Sequence, residues 1–125
     1  MANPNIVNVT TILGNASQTS LTTTSATSLV SNAASSGKVY KINSIVAANV
    51  DGTSAADITI NVYSAAALGG TAFPIASTIS VPADATLIIT DKTTSFYLLE
   101  NQSIGATAGS ASDLVVTASW EEINS

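Results

Sequence analysis

KVYKINSIVAANVDGTSAADITINVYS, residues 38–64, changes character with almost every residue. Tyr40, Ile42, Ser44, Val46, Ala48 and Val50 fall on one side of an extended chain, and Val39, Lys41, Asn43, Ile45, Ala47 and Asn49 on the other. A period of two marks a strand with one face buried, because successive side chains of extended backbone point to opposite sides. The first set is the more apolar, which assigns it to the core. Asp51-Gly52 then breaks the pattern with a turn pair, since glycine accepts positive φ and aspartate bonds its own backbone. Ile58, Ile60 and Val62 alternate with Asp57, Thr59, Asn61 and Tyr63, so the stretch reads as two antiparallel strands joined in a hairpin.

The same reading extends downstream. Ala65-Ala66-Ala67-Leu68-Gly69-Gly70 is too short and too rich in glycine at its end for a helix and reads as a loop. Thr71–Val81 is a strand whose Pro74 lacks an amide hydrogen and so belongs at a sheet edge. Pro82-Ala83-Asp84-Ala85 turns the chain into Thr86–Thr90, where the run Leu87-Ile88-Ile89 predicts a strand covered on both faces. Phe96-Tyr97-Leu98-Leu99, a segment around Ile104, and the alternation of Leu114, Val116, Ala118 and Trp120 supply three more strands. Turns every 8–12 residues or so between short strands are the signature of an all-β sandwich or barrel. The expected fold is therefore an antiparallel β-sandwich, jelly-roll or Greek-key-like, of about eight strands.

Residues 1–37 differ from residues 38–125, the expected sandwich core of a single domain. Ile6, Val7, Val9, Ile12 and Leu13 can form one strand, but Ser17–Ser28 is a Ser/Thr tract with only Leu21 and Ala26 apolar. This opening reads either as an arm reaching across a neighbouring subunit or as two edge strands.

Composition narrows the chemistry. The 125 residues contain no histidine, cysteine or arginine, but 35 serines and threonines and 20 alanines. Disulfides, thiolate metal sites and the usual general base at neutral pH are thereby excluded. Eight acidic residues against Lys38, Lys41 and Lys92 give a net charge of −5, which repels a phosphate backbone, so nucleic acid is not an expected partner. No stretch is long and apolar enough to span a bilayer as a helix, and Met1-Ala2-Asn3-Pro4-Asn5 has no basic start. A protein made soluble in a cytoplasm, with no membrane partner and no cofactor, is the expectation. With so much of its hydropathy carried by alanine, the core of one subunit is thin and the low-charge surface is easily covered by a neighbour. Both features favour a homo-oligomer, a homotrimer or another symmetric assembly.

The residues that could carry chemistry are few. Asp51, Asp57, Asp84, Asp91 and Asp113 mostly occupy turns, where aspartate bonds the local backbone. Asp51 and Asp57, with Asn49 nearby, have the oxygen ligands that Ca²⁺ prefers, without the spacing of an EF-hand. Tyr63, Tyr97 and Trp120 are candidates for stacking on a sugar, although the place of Trp120 among Leu114, Val116 and Ala118 argues for a core residue. There is no phosphate loop and no carboxylate pair with glycosidase spacing, and no catalytic residue is assigned.

One set of segments goes beyond generic β-structure. VYKINSIVAANVDG at 39–52, IASTISVPADATL at 75–87 and ASWEEI at 118–123 together resemble a small β-sandwich module of tailed-bacteriophage virion proteins, of the marine and cyanophage type. The resemblance runs from Gly37 to Ile123 and transfers no catalytic residue. It implies a non-enzymatic virion structural protein, foremost a capsid decoration or cement protein, with copies of itself and capsid or tail proteins as partners. The alternative is a tail or fibre module that binds a receptor or carbohydrate.

Overall fold

The computed structural model describes residues 4–124. Met1, Ala2, Asn3 and Ser125 lie outside the described residues. So do the start of the Met1–Asn5 stretch read above for a targeting signal and the outermost residues of the two proposed segments. Among the described residues nine strands follow one another: β1 (Thr11–Ser20), β2 (Thr27–Asn32), β3 (Lys38–Asn49), β4 (Ala56–Ala65), β5 (Gly69–Val81), β6 (Thr86–Thr90), β7 (Phe96–Leu98), β8 (Gln102–Ala108) and β9 (Leu114–Asn124). A 3-10 turn at Lys92–Thr94 separates β6 from β7 and is capped by the Asp91 carboxylate, which accepts from Thr93 N–H. Among the described residues no helix is long and apolar enough to cross a membrane.

The strands form two antiparallel sheets. One runs β1-β9-β3-β6, with β7 also paired to β3, and the other runs β2-β8-β4-β5. The pairs nest: β1 with β9, β2 with β8, β3 with β6 and β7, β4 with β5. Such a ribbon, doubled back and wrapped on itself, is a jelly roll, with β6 and β7 together filling the place of one strand. The expected all-β sandwich is the fold observed.

Between the sheets Leu21, Ile42, Ile45, Ile58, Ile60, Leu98, Ile104 and Leu114 are fully buried. Ala47, Ala106, Ala108 and Ala118 join the same cluster. Alanines at these places let the sheets approach closely, which explains how a chain with few large apolar side chains closes a core.

The expected hairpin does not form. β3 pairs with β9, β6 and β7, whereas β4 pairs with β5 and β8 in the other sheet. Each strand has one apolar face, and pressing the two faces together across the sandwich buries more than laying them side by side in one sheet. The link between them is pinned by Asn49, which is 3% exposed. Its Nδ2 donates to Ser54 O and Val81 O, both at 2.9 Å, while its Oδ1 accepts from Asp51 N–H at 2.9 Å. The segment after Asn49 thus crosses between sheets instead of turning within one.

The inward face of β3 also changes along its length. Ile42 lies opposite Trp120 and Ser44 opposite Ser119, leaving Asn43 without a partner. An extra residue in one strand is a β-bulge, and with a side-chain period of two it shifts the phase by one. The buried set therefore passes from Tyr40 and Ile42 to Ile45, Ala47 and Asn49, while Val46 and Ala48 are only half-buried. The single apolar face read from Tyr40 to Val50 holds only up to the bulge.

A second correction concerns β6. It is the edge strand of its sheet, and Ile88 is 60% exposed. The run Leu87-Ile88-Ile89 is covered on its inner side only, because nothing in the described chain packs outside it.

Candidate functional site

The sequence candidates do not converge. Asp51 accepts from Thr53 N–H at 3.0 Å and from Thr53 Oγ1 at 2.9 Å, so its carboxylate closes its own turn. Asp57, the second residue of β4, has an exposed side chain, and its carbonyl accepts from Gly109 N–H at 2.8 Å. Among the described residues no three acidic side chains gather in a way that could hold a metal ion.

The three aromatics are equally scattered. Tyr63 is buried, and a Cβ placed on Gly105 would lie 3.0 Å from its Cε2, so the ring lies directly over that glycine. Trp120 packs against the core and stacks on Tyr40, with ring centroids 6.4 Å apart and planes inclined by 22°. Its Nε1 is buried without a partner in the described chain. Burial holds the Tyr40 hydroxyl above its usual range, and the nearby Glu122 carboxylate pushes in the same direction. Only Tyr97 remains open, beside Pro4, Ile6, Val39 and Leu99 in a shallow groove of about 210 Å³. Among the described residues the three rings do not share one exposed surface.

What the fold does build is two unlike flanks. On one, the edge strands β5 and β6 come together, and Phe73, Ile75, Ile79 and Ile88 are 57%, 44%, 40% and 60% exposed. Ile75 from β5, Ile89 and Thr90 from β6, Thr94 from the 3-10 turn and Phe96 from β7 line a cleft of about 220 Å³ between them. Pro74 stands on this edge, as its missing amide requires, and β5 departs from regular register at three places. Large apolar side chains are thus left exposed along this border of the fold.

The opposite flank carries β1 and β2. β1 matches β9 residue for residue from Thr11 to Ser20 but contributes no buried side chain. No Asp, Glu, Lys or Arg occurs before Lys38. Sequence reasoning registered this tract as Ser/Thr-rich and missed that it is free of charge, a signal available from a simple scan.

Hydroxyls and amides do the work that ion pairs do elsewhere. Asn32, fully buried, donates from Nδ2 to Lys38 O at 2.9 Å and Leu98 O at 3.3 Å, and accepts from Ser36 Oγ at 2.6 Å. The tight turn between β4 and β5 is held by Asn101, Ser31 and Ser103, which accept from the N–H groups of Ala66, Ala67 and Leu68 at 2.9–3.1 Å. Among the described residues the one ion pair is Lys38–Glu122, at 3.4 Å.

No protein-family model matches the chain, and no curated protein does. A solved structure reported under the description "Bacillus endospore appendages form a novel family of disulfide-linked pili" aligns with all of this chain and 96% of its own. The TM-score is 0.55 and the sequence identity 18%. At that identity the likeness establishes the fold alone.

Proposed function

We propose that this chain is a non-enzymatic structural subunit that assembles with copies of itself on the surface of a larger particle or filament. The observation that carries the reading is the flank where β5 and β6 meet, with Phe73, Ile75, Ile79 and Ile88 uncovered. Burying such side chains is worth about 25 cal/mol per Å² of apolar surface, and the low charge of the chain leaves little desolvation to oppose it. The residue types also support a structural part, since no histidine or cysteine is present and the carboxylates of Asp51 and Asp91 are engaged in their own turns.

Two settings fit. The motif resemblance of residues 37–123 favours a virion, with the subunit seated as capsid decoration. The likeness to a pilus chain favours a filament. In a filament of this chain the subunits are not joined by disulfides, because there is no cysteine.

Light scattering of the purified chain, followed by electron microscopy, tests the proposal. Closed oligomers that bind capsid shells support decoration, and extended fibres support an appendage. A chain that stays monomeric at high concentration and binds no shell overturns it.

A further inference from the structure

The free edge of β1 has no feature that would keep another strand away. Exposed strand edges are ordinarily protected by proline, charge, bulges or shortness. β5 has Pro74 and three register breaks, β6 spans five residues, and β2 spans six with a break between Ser28 and Val30. β1 runs for ten residues in unbroken register with β9 and contains neither proline nor charge.

Its geometry also selects a partner. Leu21 N–H donates to Leu114 O at 2.9 Å. Alternation along an antiparallel ladder then directs the odd-numbered amides of β1 to β9 and the even-numbered ones to the open side. The outward amides, those of Ile12, Gly14, Ala16, Gln18 and Ser20, have Ala16 at their centre. An antiparallel copy of the same strand, related by a two-fold axis at Ala16, would pair Ile12 with Ser20 and Gly14 with Gln18 using every one of those amides.

Charge points the same way. A chain of net charge −5 repels its own copies, and β1 belongs to the charge-free first 37 residues. Two carboxylates lie across the ladder, Glu121 opposite Gly14 and Glu122 opposite Leu13, and Glu122 is occupied by Asn15 Nδ2 at 2.6 Å and Lys38 Nζ at 3.4 Å.

We propose that β1 is a self-pairing edge, joining two copies of this chain into one continuous sheet through a two-fold axis at Ala16. The proposal rests on the self-assembly reading above and specifies one contact within it.

The absence of native cysteine makes the test clean. Ala16→Cys and, as a control on an exposed turn, Ser54→Cys are treated with a short bis-maleimide at micromolar protein. Facing thiols see one another at millimolar effective concentration, so the Ala16→Cys dimer is expected to form on the order of a hundredfold faster than the control. Ala16→Pro, tolerated on an open edge because the lost amide faces outward, and Ala16→Lys are each expected to remove this contact in light scattering while leaving circular dichroism unchanged. Equal cross-linking rates, or oligomers unaltered by both Ala16→Pro and Ala16→Lys, overturn the β1 contact and leave self-assembly through the apolar flank standing. A wild-type chain that is monomeric throughout overturns both.

Discussion

Trp120 of β9 stacks on Tyr40 of β3 with ring centroids 6.4 Å apart, which places the chain's single tryptophan against the core cluster. The ring is held by packing alone, because its buried Nε1 has no partner in the described chain. Trp120→Phe keeps the stack and removes an unpaired donor, so its stability is expected to stay within about 1 kcal/mol of the parent. Trp120→Ala removes the stack as well and is expected to cost about 3 kcal/mol. Urea denaturation followed by circular dichroism separates the two variants.

Asn32 and Asn49 each tie together backbone carbonyls from separated parts of the chain. Asn49→Ala strands the carbonyls of Ser54 and Val81 and is expected to cost about 2–3 kcal/mol. Asn32→Ala, which frees Lys38 O and Leu98 O, should cost a similar amount. The two share no partner, so the double variant should show the sum to within about 0.5 kcal/mol. Chemical denaturation of the two singles and the double checks this.

Stability is expected to be flat across neutral pH, since the chain has no histidine and so no side chain that ordinarily titrates at about pH 5–8. The limits lie outside that window. The Tyr40 pKa is raised from 10.0, first by burial and then by Glu122. Its contribution is complete below pH 10.0 and is lost as pH climbs through the folded-state value. The Asp91 pKa is lowered from 3.8, chiefly by hydrogen bonds from Thr93. Its contribution is present above pH 3.8 and is lost as pH falls through the folded-state value. Melting temperature recorded from pH 2 to pH 11 should show a plateau with a fall at each end.

Ile88 separates folding from assembly. At 60% exposure, its replacement by lysine should alter the stability of one subunit by no more than about 0.5 kcal/mol. The same change places a charge on an exposed apolar position of β6 and should shift the association equilibrium toward monomer. Thermal melts and light scattering on Ile88→Lys measure the two effects independently.

Local pattern carried much of the fold. Thr86–Thr90 is a strand with the boundaries read from the sequence, Pro74 marks an edge, and the alternation of Leu114, Val116 and Ala118 faces the core. What escaped was long-range or fine-grained. Asp51-Gly52 has the composition of a hairpin turn, yet the buried amide of Asn49 diverts the chain to the other sheet. The bulge at Asn43 leaves no mark in composition, because one unpaired residue shifts the phase without altering the alternation on either side. Leu87-Ile88-Ile89 looked like a buried strand because hydropathy reports that a face needs cover and not whether the same chain supplies it. The candidate flanks were illegible for that reason too: they arise where β5 meets β6 and β1 neighbours β2, which only the tertiary arrangement defines.

The nested order of the strands also governs how quickly the native state is reached. Of all the hydrogen-bonded strand pairs, β4 with β5 alone joins consecutive elements, while β1 must find β9 across nearly the whole chain. Loop-closure entropy is spent before such distant pairings return anything, which puts sandwiches of this kind among the slow folders, at milliseconds to seconds. The β4–β5 hairpin is then the natural nucleus, and the β1–β9 ladder the last to close. Until it does, β9 is itself an open edge, so a newly made chain passes through a period in which a neighbour's β1 can take the place of its own.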